Sequence, residues 1–376
     1  MLHKWMALLL AVALMLGAVP ALAESDADAR VGQILSGMSI EQKVYQMFVI
    51  TPEMLTGSGT VTKAGDATRK ALKAHPVGGL IYFAANLKDR KQTTSMIQNS
   101  QKFAQEEGIP GLFIAVDEEG GSVARVASKL NTTKFSAMMT LAKKGDPQLI
   151  FDAYSTIAAD ISQFGFNLDF APVADVITNS KNTEIGNRAF GTDAGTVSTM
   201  VPEAVNGLQQ GGVIAALKHF PGHGNTTANS HYNTTTTART LDEMRALEFL
   251  PFSAGIDAGA EIVLMSHLTA TKLDDSLPAS MNKTIITDIL RGELGFEGVV
   301  CTDALRMLAI ASNYSPEQIA RNCVNAGVDI LLMPASFQAT SAALIELVQN
   351  GEITEQRIDE SVRRILKLKL KYGIAE

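Results

Sequence analysis

Val213-Ile214-Ala215-Ala216-Leu217-Lys218-His219-Phe220-Pro221-Gly222-His223-Gly224 begins as a strand and stops abruptly. Val213 to Leu217 is a continuous apolar run of the length a buried strand takes. It ends on the polar pair Lys218 and His219, and Pro221, Gly222 and Gly224 prevent regular structure from continuing. The same theme recurs at residues 46–50, 79–83, 112–116, 167–170, 261–265, 298–301 and 329–333. Between most of these runs lie amphipathic stretches, at 89–107, 147–164, 192–207, 241–258, 284–294 and 316–326, which predict helices. Strands alternating with helices imply parallel pairing through right-handed crossovers. Eight such units in a 376-residue chain predict an α/β fold, a single-domain (β/α)8 TIM-type barrel, in preference to an open doubly wound sheet.

Composition bounds the reading further. Hydrophobic residues make up 46% and charged residues 19%, enough apolar material for a large core and too much for a disordered chain. The net charge is -7 and no basic stripe is visible, so a nucleic-acid partner is not expected. Cys301 and Cys323 are too few for a disulfide scaffold or a thiolate zinc site. The two could pair, but Cys301 falls in an apolar strand pattern and reads as a buried free thiol.

The first residues read as a leader. His3 and Lys4 precede an apolar run from Ala7 to Val19, and Ala21-Leu22-Ala23 has the small-x-small form of a cleavage site. The run is shorter than the ~20 residues a membrane span needs. The expectation is therefore a signal peptide over residues 1–23, cut after Ala23, and a barrel domain over 24–376. The mature chain would be secreted or periplasmic, without stable membrane insertion.

Polar groups gather where the runs end. Asp117 follows the third and Asp175 the fourth; Lys218 and His219 end the fifth, Ser266 and His267 the sixth, and Asp303 the seventh. The carboxyl ends of the strands are where a barrel holds its active site. One or two such residues would only mark strand ends; five in register favour a site. His219 and His223, four apart, would share a face if helical and could form a metal pair, but Pro221, Gly222 and Gly224 exclude a regular helix and no HExxH occurs. No metal and no cofactor are expected. Residues 226–237, rich in Thr and Asn, read as a polar, mobile loop.

The segment Lys218 to Gly224, followed by Ser230-His231, strongly resembles glycoside hydrolase family 3, in its single-domain β-N-acetylhexosaminidase form. Further matches stand in the family's order: Asp117-Glu118-Glu119-Gly120-Gly121-Ser122-Val123-Ala124-Arg125, Asn187-Arg188-Ala189-Phe190-Gly191 and Thr302-Asp303-Ala304-Leu305-Arg306-Met307. The resemblance runs from about Val31 to Tyr372. It implies a retaining glycosidase in which Asp303 is the nucleophile and His231 the acid/base. Such an enzyme needs a carboxylate and a proton donor on opposite sides of the scissile bond. It also implies that Asp117, Arg125, Arg188, Lys218 and His219 bind the sugar. From the residues alone, Asp303 or Asp117 could instead cap a helix, and Arg125 could pair with Glu118 or Glu119. His267 could line the same pocket.

One position departs from the family pattern. The residue two before the catalytic histidine is normally Asp, and here it is Asn229. Asparagine keeps an acceptor oxygen but no charge to stabilise an imidazolium. A carboxylate such as Glu184 or Asp242 could be recruited instead. The expected function is release of terminal β-linked N-acetylglucosamine from peptidoglycan fragments or chitin oligomers. The alternatives are a β-glucosidase of the same family, or a catalytically impaired sugar-binding protein. Oligomeric state is not set by the sequence.

Overall fold

The computed structural model describes residues 26–226 and 235–375. The expected leader, and the positions of Asn229 and His231, lie outside the described residues.

Eight strands form one sheet: β1 (Phe48–Ile50), β2 (Gly79–Ile81), β3 (Phe113–Val116), β4 (Leu168–Asp169), β5 (Ile214–Phe220), β6 (Ile262–Met265), β7 (Val299–Thr302) and β8 (Leu331–Leu332). Their spatial order, β7-β6-β5-β4-β3-β2-β1-β8, is the chain order with the last strand beside the first. Every pairing is parallel. A bridge between Cys301 and Ile330 brings β7 against the start of β8 and closes the barrel. All residues of these strands are buried, as parallel strands covered on both faces must be, which is why the runs read as continuous rather than alternating.

The helices between strands begin at short polar caps. Asp89, Asp193, Ser315, Ser336 and Thr354 each accept a backbone N–H from the first turn that follows. The last helix, Glu355–Lys371, buries Ile358, Val362, Ile365 and Leu366, the face its periodicity marks. From its final turn Lys369 reaches under the amino-terminal end of the barrel. There Nζ donates to Gln46 Oε1 at 2.7 Å, Gly111 O at 2.8 Å and Pro110 O at 2.9 Å. Both cysteines are free and buried.

Three expectations are corrected. The stretch 241–258 is two helices, Leu241–Ala246 and Phe249–Asp257. Glu248 turns inward between them to meet Arg239 at 3.2 Å, and Leu247 leaves helical backbone to allow it. The polar stretch ending at 237 is not all loop, because Thr235–Thr237 pairs in parallel with Leu268–Ala270. Finally, β5 runs on to Phe220, so Lys218 and His219 lie within the strand rather than at its end.

Candidate active site

At the carboxyl ends of the strands lies a cavity of about 350 Å³, the size of a small-ligand pocket. Asp117, Arg125, Arg188, Lys218, His219 and Asp303 all line it.

The wall opposite Asp303 is built from three consecutive acids after β3. Gly120 and Gly121 take positive φ, 84° and 58°, and turn the chain back so that Glu118–Gly120 pairs with Val123–Ala124. The acids therefore face different surroundings. Asp117 reaches the cavity. Glu118 accepts the N–H of Val126 at 2.7 Å and of Ala127 at 2.9 Å, so Glu118, not Asp117, closes the start of helix Arg125–Leu130. Burial pushes its carboxyl up to about 7 despite those donors. Asp169, at the end of β4, accepts the Glu118 N–H at 2.9 Å, and full burial raises its carboxyl well above the ordinary range.

Glu119 goes the other way. Its Oε2 accepts Arg188 Nε and its Oε1 accepts Arg188 Nη2, both at 2.8 Å. Lys218 Nζ lies 2.5 Å from Oε1 and 3.1 Å from Asp117 Oδ1. Burial opposes the Glu119 charge, but Lys218 and Arg188 outweigh it and hold the carboxyl down at about 2. Arg188 Nη1 donates to the Glu184 carbonyl at 3.0 Å. Arg125 makes no ion pair with Glu118 or Glu119, and its buried Nε has no hydrogen-bond partner among the described residues.

Asp175 is not a cavity group. It stands behind β5, where Oδ2 meets His219 Nδ1 at 2.7 Å and Oδ1 accepts the His223 N–H at 2.6 Å. That contact commits Nδ1 and leaves the other ring nitrogen of His219 for the cavity. The turn after β5 is pressed against the segment after β4, and a Cβ on Gly224 would overlap the Val176 carbonyl oxygen. His223 lines the cavity too; its Nδ1 lies 3.0 Å from Thr226 Oγ1, and its buried Nε2 has no hydrogen-bond partner among the described residues. Burial and the neighbouring His219 lower its basicity.

Asp303 follows β7 directly. Its N–H donates to Met265 O at 2.8 Å, and its Oδ1 accepts the Ala304 N–H at 2.7 Å. Burial works against its charge, but the imidazoles of His267 and His219, with the Ala304 N–H, hold the carboxyl below its ordinary range. His267 is not among the cavity-lining residues. It lies behind Asp303, with Nδ1 2.8 Å from Ser280 Oγ and Nε2 3.1 Å from Ala304 O.

Of the two carboxylates considered beside Asn229, Glu184 lines the cavity. Asp242 does not; it is exposed on the surface and paired with Arg245 at 3.1 Å. Sequence reading missed Glu119 and His223 as pocket groups. Both sat within quoted motifs, but only the folded chain reveals what they touch. Among the described residues no group of three or more His, Cys, Asp or Glu side chains is placed to hold a metal ion.

The Glycosyl hydrolase family 3 N terminal domain matches residues 39–368. Beta-hexosaminidase A of Pseudoalteromonas piscicida is 33% identical over 327 residues, 80% of this chain and 54% of that protein. Beta-hexosaminidase of Tolumonas auensis is 33% identical over 289 residues, 76% of this chain and 84% of its own length. The structure of a glycoside hydrolase family 3 beta-N-acetylglucosaminidase from Paenibacillus sp. str. FPU-7 superposes with a TM-score of 0.85 at 35% identity. It covers 90% of this chain and 63% of that one. The chain thus spans about half the length of the first relative and under two thirds of the solved one.

Proposed function

We propose, from the premise that this chain belongs to glycosyl hydrolase family 3, that it releases terminal β-linked N-acetylglucosamine by a two-step, retaining route. The observation that carries the reading is the division of the cavity. Asp303 stands at β7 with its carboxyl kept ionised, and a wall of paired charges from β3 to β5 stands across the barrel.

Asp303 attacks C1 of the sugar while the bond to the leaving oxygen breaks. His231 gives that oxygen its proton. The result is a glycosyl ester on Asp303. Water then attacks C1, His231 takes the proton from it, and the ester bond breaks to return the Asp303 carboxylate. Two displacements at C1 retain its configuration. Asp117, Arg125, Arg188, Lys218 and His219 hold the sugar hydroxyls.

The rest of the cavity favours the 2-acetamido sugar over glucose. Beside Asp303 the lining is mixed: Met307, Leu332 and Met333 supply apolar surface on adjoining segments, and the Arg306 guanidinium lies over the Phe83 ring at 5.7 Å while its backbone N–H donates to Met333 O at 2.9 Å. A substituent on C2 lies next to C1 and hence next to Asp303, where an acetyl methyl meets apolar side chains. Peptidoglycan fragments and chitin oligomers both present such a terminal sugar. The leader read at residues 1–23 accords with export toward either.

The test is a mass measurement on the intact chain after exposure to a slow 2-fluoro sugar substrate. One added sugar on the peptide holding Asp303 is the expected result. Turnover without any adduct, or an adduct on another peptide, overturns the assignment. A chromogenic panel decides the sugar: release from N-acetylglucosaminide but not glucoside is expected, and the reverse makes the protein a β-glucosidase.

A further inference from the structure

We propose that Glu119 is a positioning residue. It sets Lys218 and Arg188 at one fixed spacing so that their remaining N–H groups grip the C3 and C4 hydroxyls of the terminal sugar. This rests on the reading above for the identity of the sugar.

Lys218 has three N–H donors and Arg188 five. Glu119 takes one from Lys218 and two from Arg188, Asp117 takes a second from Lys218, and the Glu184 carbonyl takes a third from Arg188. One donor remains on Lys218 and two on Arg188, and both side chains line the cavity. Asp117 uses Oδ1 for Lys218, which leaves Oδ2 for a hydroxyl. Two donors flanking an acceptor are what a pair of adjacent hydroxyls requires.

The shared carboxylate explains why two cations tolerate this closeness. Lys218 and Arg188 meet the same oxygen, Glu119 Oε1, from 2.5 Å and 2.8 Å. Without a negative charge between them they would repel in a setting where screening is weak. Glu119 itself is buried, with a side chain 1% exposed, and its contacts with Arg188 are bidentate, so its freedom to move is small. Two flexible cationic side chains thereby behave as one rigid fitting.

Topology says which hydroxyls the fitting meets. Asp303 follows β7, and Asp117 and Glu119 follow β3. In the closed order of eight strands β3 is four steps from β7 in either direction, diametrically across the barrel. In a pyranose the atom opposite C1 is C4. With C1 over Asp303, the far end of the ring, bearing the C4 and C3 hydroxyls, falls on the Glu119 fitting. Those hydroxyls are free only on a terminal, non-reducing sugar if the chain is extended through C4 or C3, so the fitting also selects chain ends.

The experiment measures affinities for N-acetylglucosamine and its 3-deoxy and 4-deoxy analogues by titration calorimetry, in the wild-type chain and in Glu119→Gln. Glu119→Gln keeps the shape and removes the charge. Affinity for N-acetylglucosamine is expected to fall about tenfold, and affinity for at least one deoxy analogue by a few-fold at most, because the group that the fitting grips is already missing. The preference of the wild-type chain for the parent sugar is thereby compressed. An equal loss on all three sugars, or no loss, overturns the proposal, since a merely structural role moves them together. If Glu119→Gln does not yield folded protein, Glu119→Asp takes its place; it keeps the charge but withdraws it by one methylene, and the same compression is required. Binding is read without turnover. A wild-type chain that binds the sugar but never cleaves its glycosides therefore defeats the hydrolase reading alone, and uncompressed preferences in a cleaving enzyme defeat the Glu119 assignment alone.

Discussion

Glu118 and Glu119 are adjacent and chemically identical, yet one carboxyl is pushed up to about 7 and the other held at about 2. The difference comes entirely from what each touches: two backbone N–H groups in one case, two cationic side chains in the other. No reading of the sequence separates them, because Lys218 and Arg188 are 99 and 69 residues away from Glu119. Asp303 was legible for the opposite reason: its place at a strand end and its neighbours in sequence are local. Replacing it by Asn keeps the volume and removes the proposed nucleophile. Turnover should fall by a factor of thousands with little change in melting temperature. Near wild-type rates in Asp303→Asn would mean that another group attacks C1. Asn229 makes a subtler prediction. A neutral amide cannot stabilise an imidazolium by charge, so His231 is expected to carry the proton it must donate less of the time, and the deficit should grow with the difficulty of the leaving group. Asn229→Asp should accelerate cleavage of sugar–sugar linkages more than of activated aryl glycosides. Equal effects of Asn229→Asp on kcat/KM for both substrate types would remove Asn229 from the proton-transfer machinery.

The strands were legible because a parallel barrel buries both faces of each one, so burial writes itself into the chain as uninterrupted apolar runs. What the runs could not disclose is where tertiary contacts override local pattern. The amphipathic stretch 241–258 has helical periodicity throughout, yet Glu248 must reach Arg239 and the helix breaks there. The glycines of the turn after β5 carry a similar message. Gly222 and Gly224 read as turn formers, but only the folded chain reveals that a Cβ on Gly224 would overlap the Val176 carbonyl oxygen of the segment after β4. That contact presses the His223 turn onto the Asp175 segment, so the shape of the site depends on it. Gly224→Ala should cost about 1–3 kcal/mol of stability, as overpacking does, and lower kcat/KM as well. Among the described residues nothing lies within 4 Å of a Cβ placed on Gly32, inside the helix over 26–36. The same substitution there should be neutral or stabilise by up to ~1 kcal/mol. Thermal unfolding of the two variants side by side distinguishes a packed turn from a merely flexible one; equal effects would refute the close-packing argument.

The whole barrel divides its labour between its ends, and the two ends treat buried cations differently. At the carboxyl end Lys218 is buried against carboxylates, and their charges keep it protonated: burial alone would lower its pKa, but Glu119 and Asp117 raise it. At the amino end Lys369 is fully buried against neutral oxygens, and burial pulls its pKa down from 10.5 to about 7. This asymmetry has a thermodynamic signature. Between pH 7 and pH 10.5 the unfolded chain holds a proton on Lys369 that the folded chain has released. Stability from this group therefore rises with pH across that window, by up to ~1.4 kcal/mol per pH unit, and is constant below it. Lys369→Met removes the titration and keeps most of the volume. At high pH the neutral amine of the wild-type chain still donates to two of Gln46 Oε1 and the Pro110 and Gly111 carbonyls, whereas the variant donates to none, so it should be less stable than wild type there. As pH falls toward 7 the wild-type chain bears the growing cost of a buried charge, and the gap between the two should narrow. Urea unfolding at pH 7, 8 and 9 measures it: the wild-type advantage is expected to grow at each step. Parallel curves would mean that Lys369 stays charged in the folded barrel, and that the three oxygens hold an ammonium without any carboxylate to balance it.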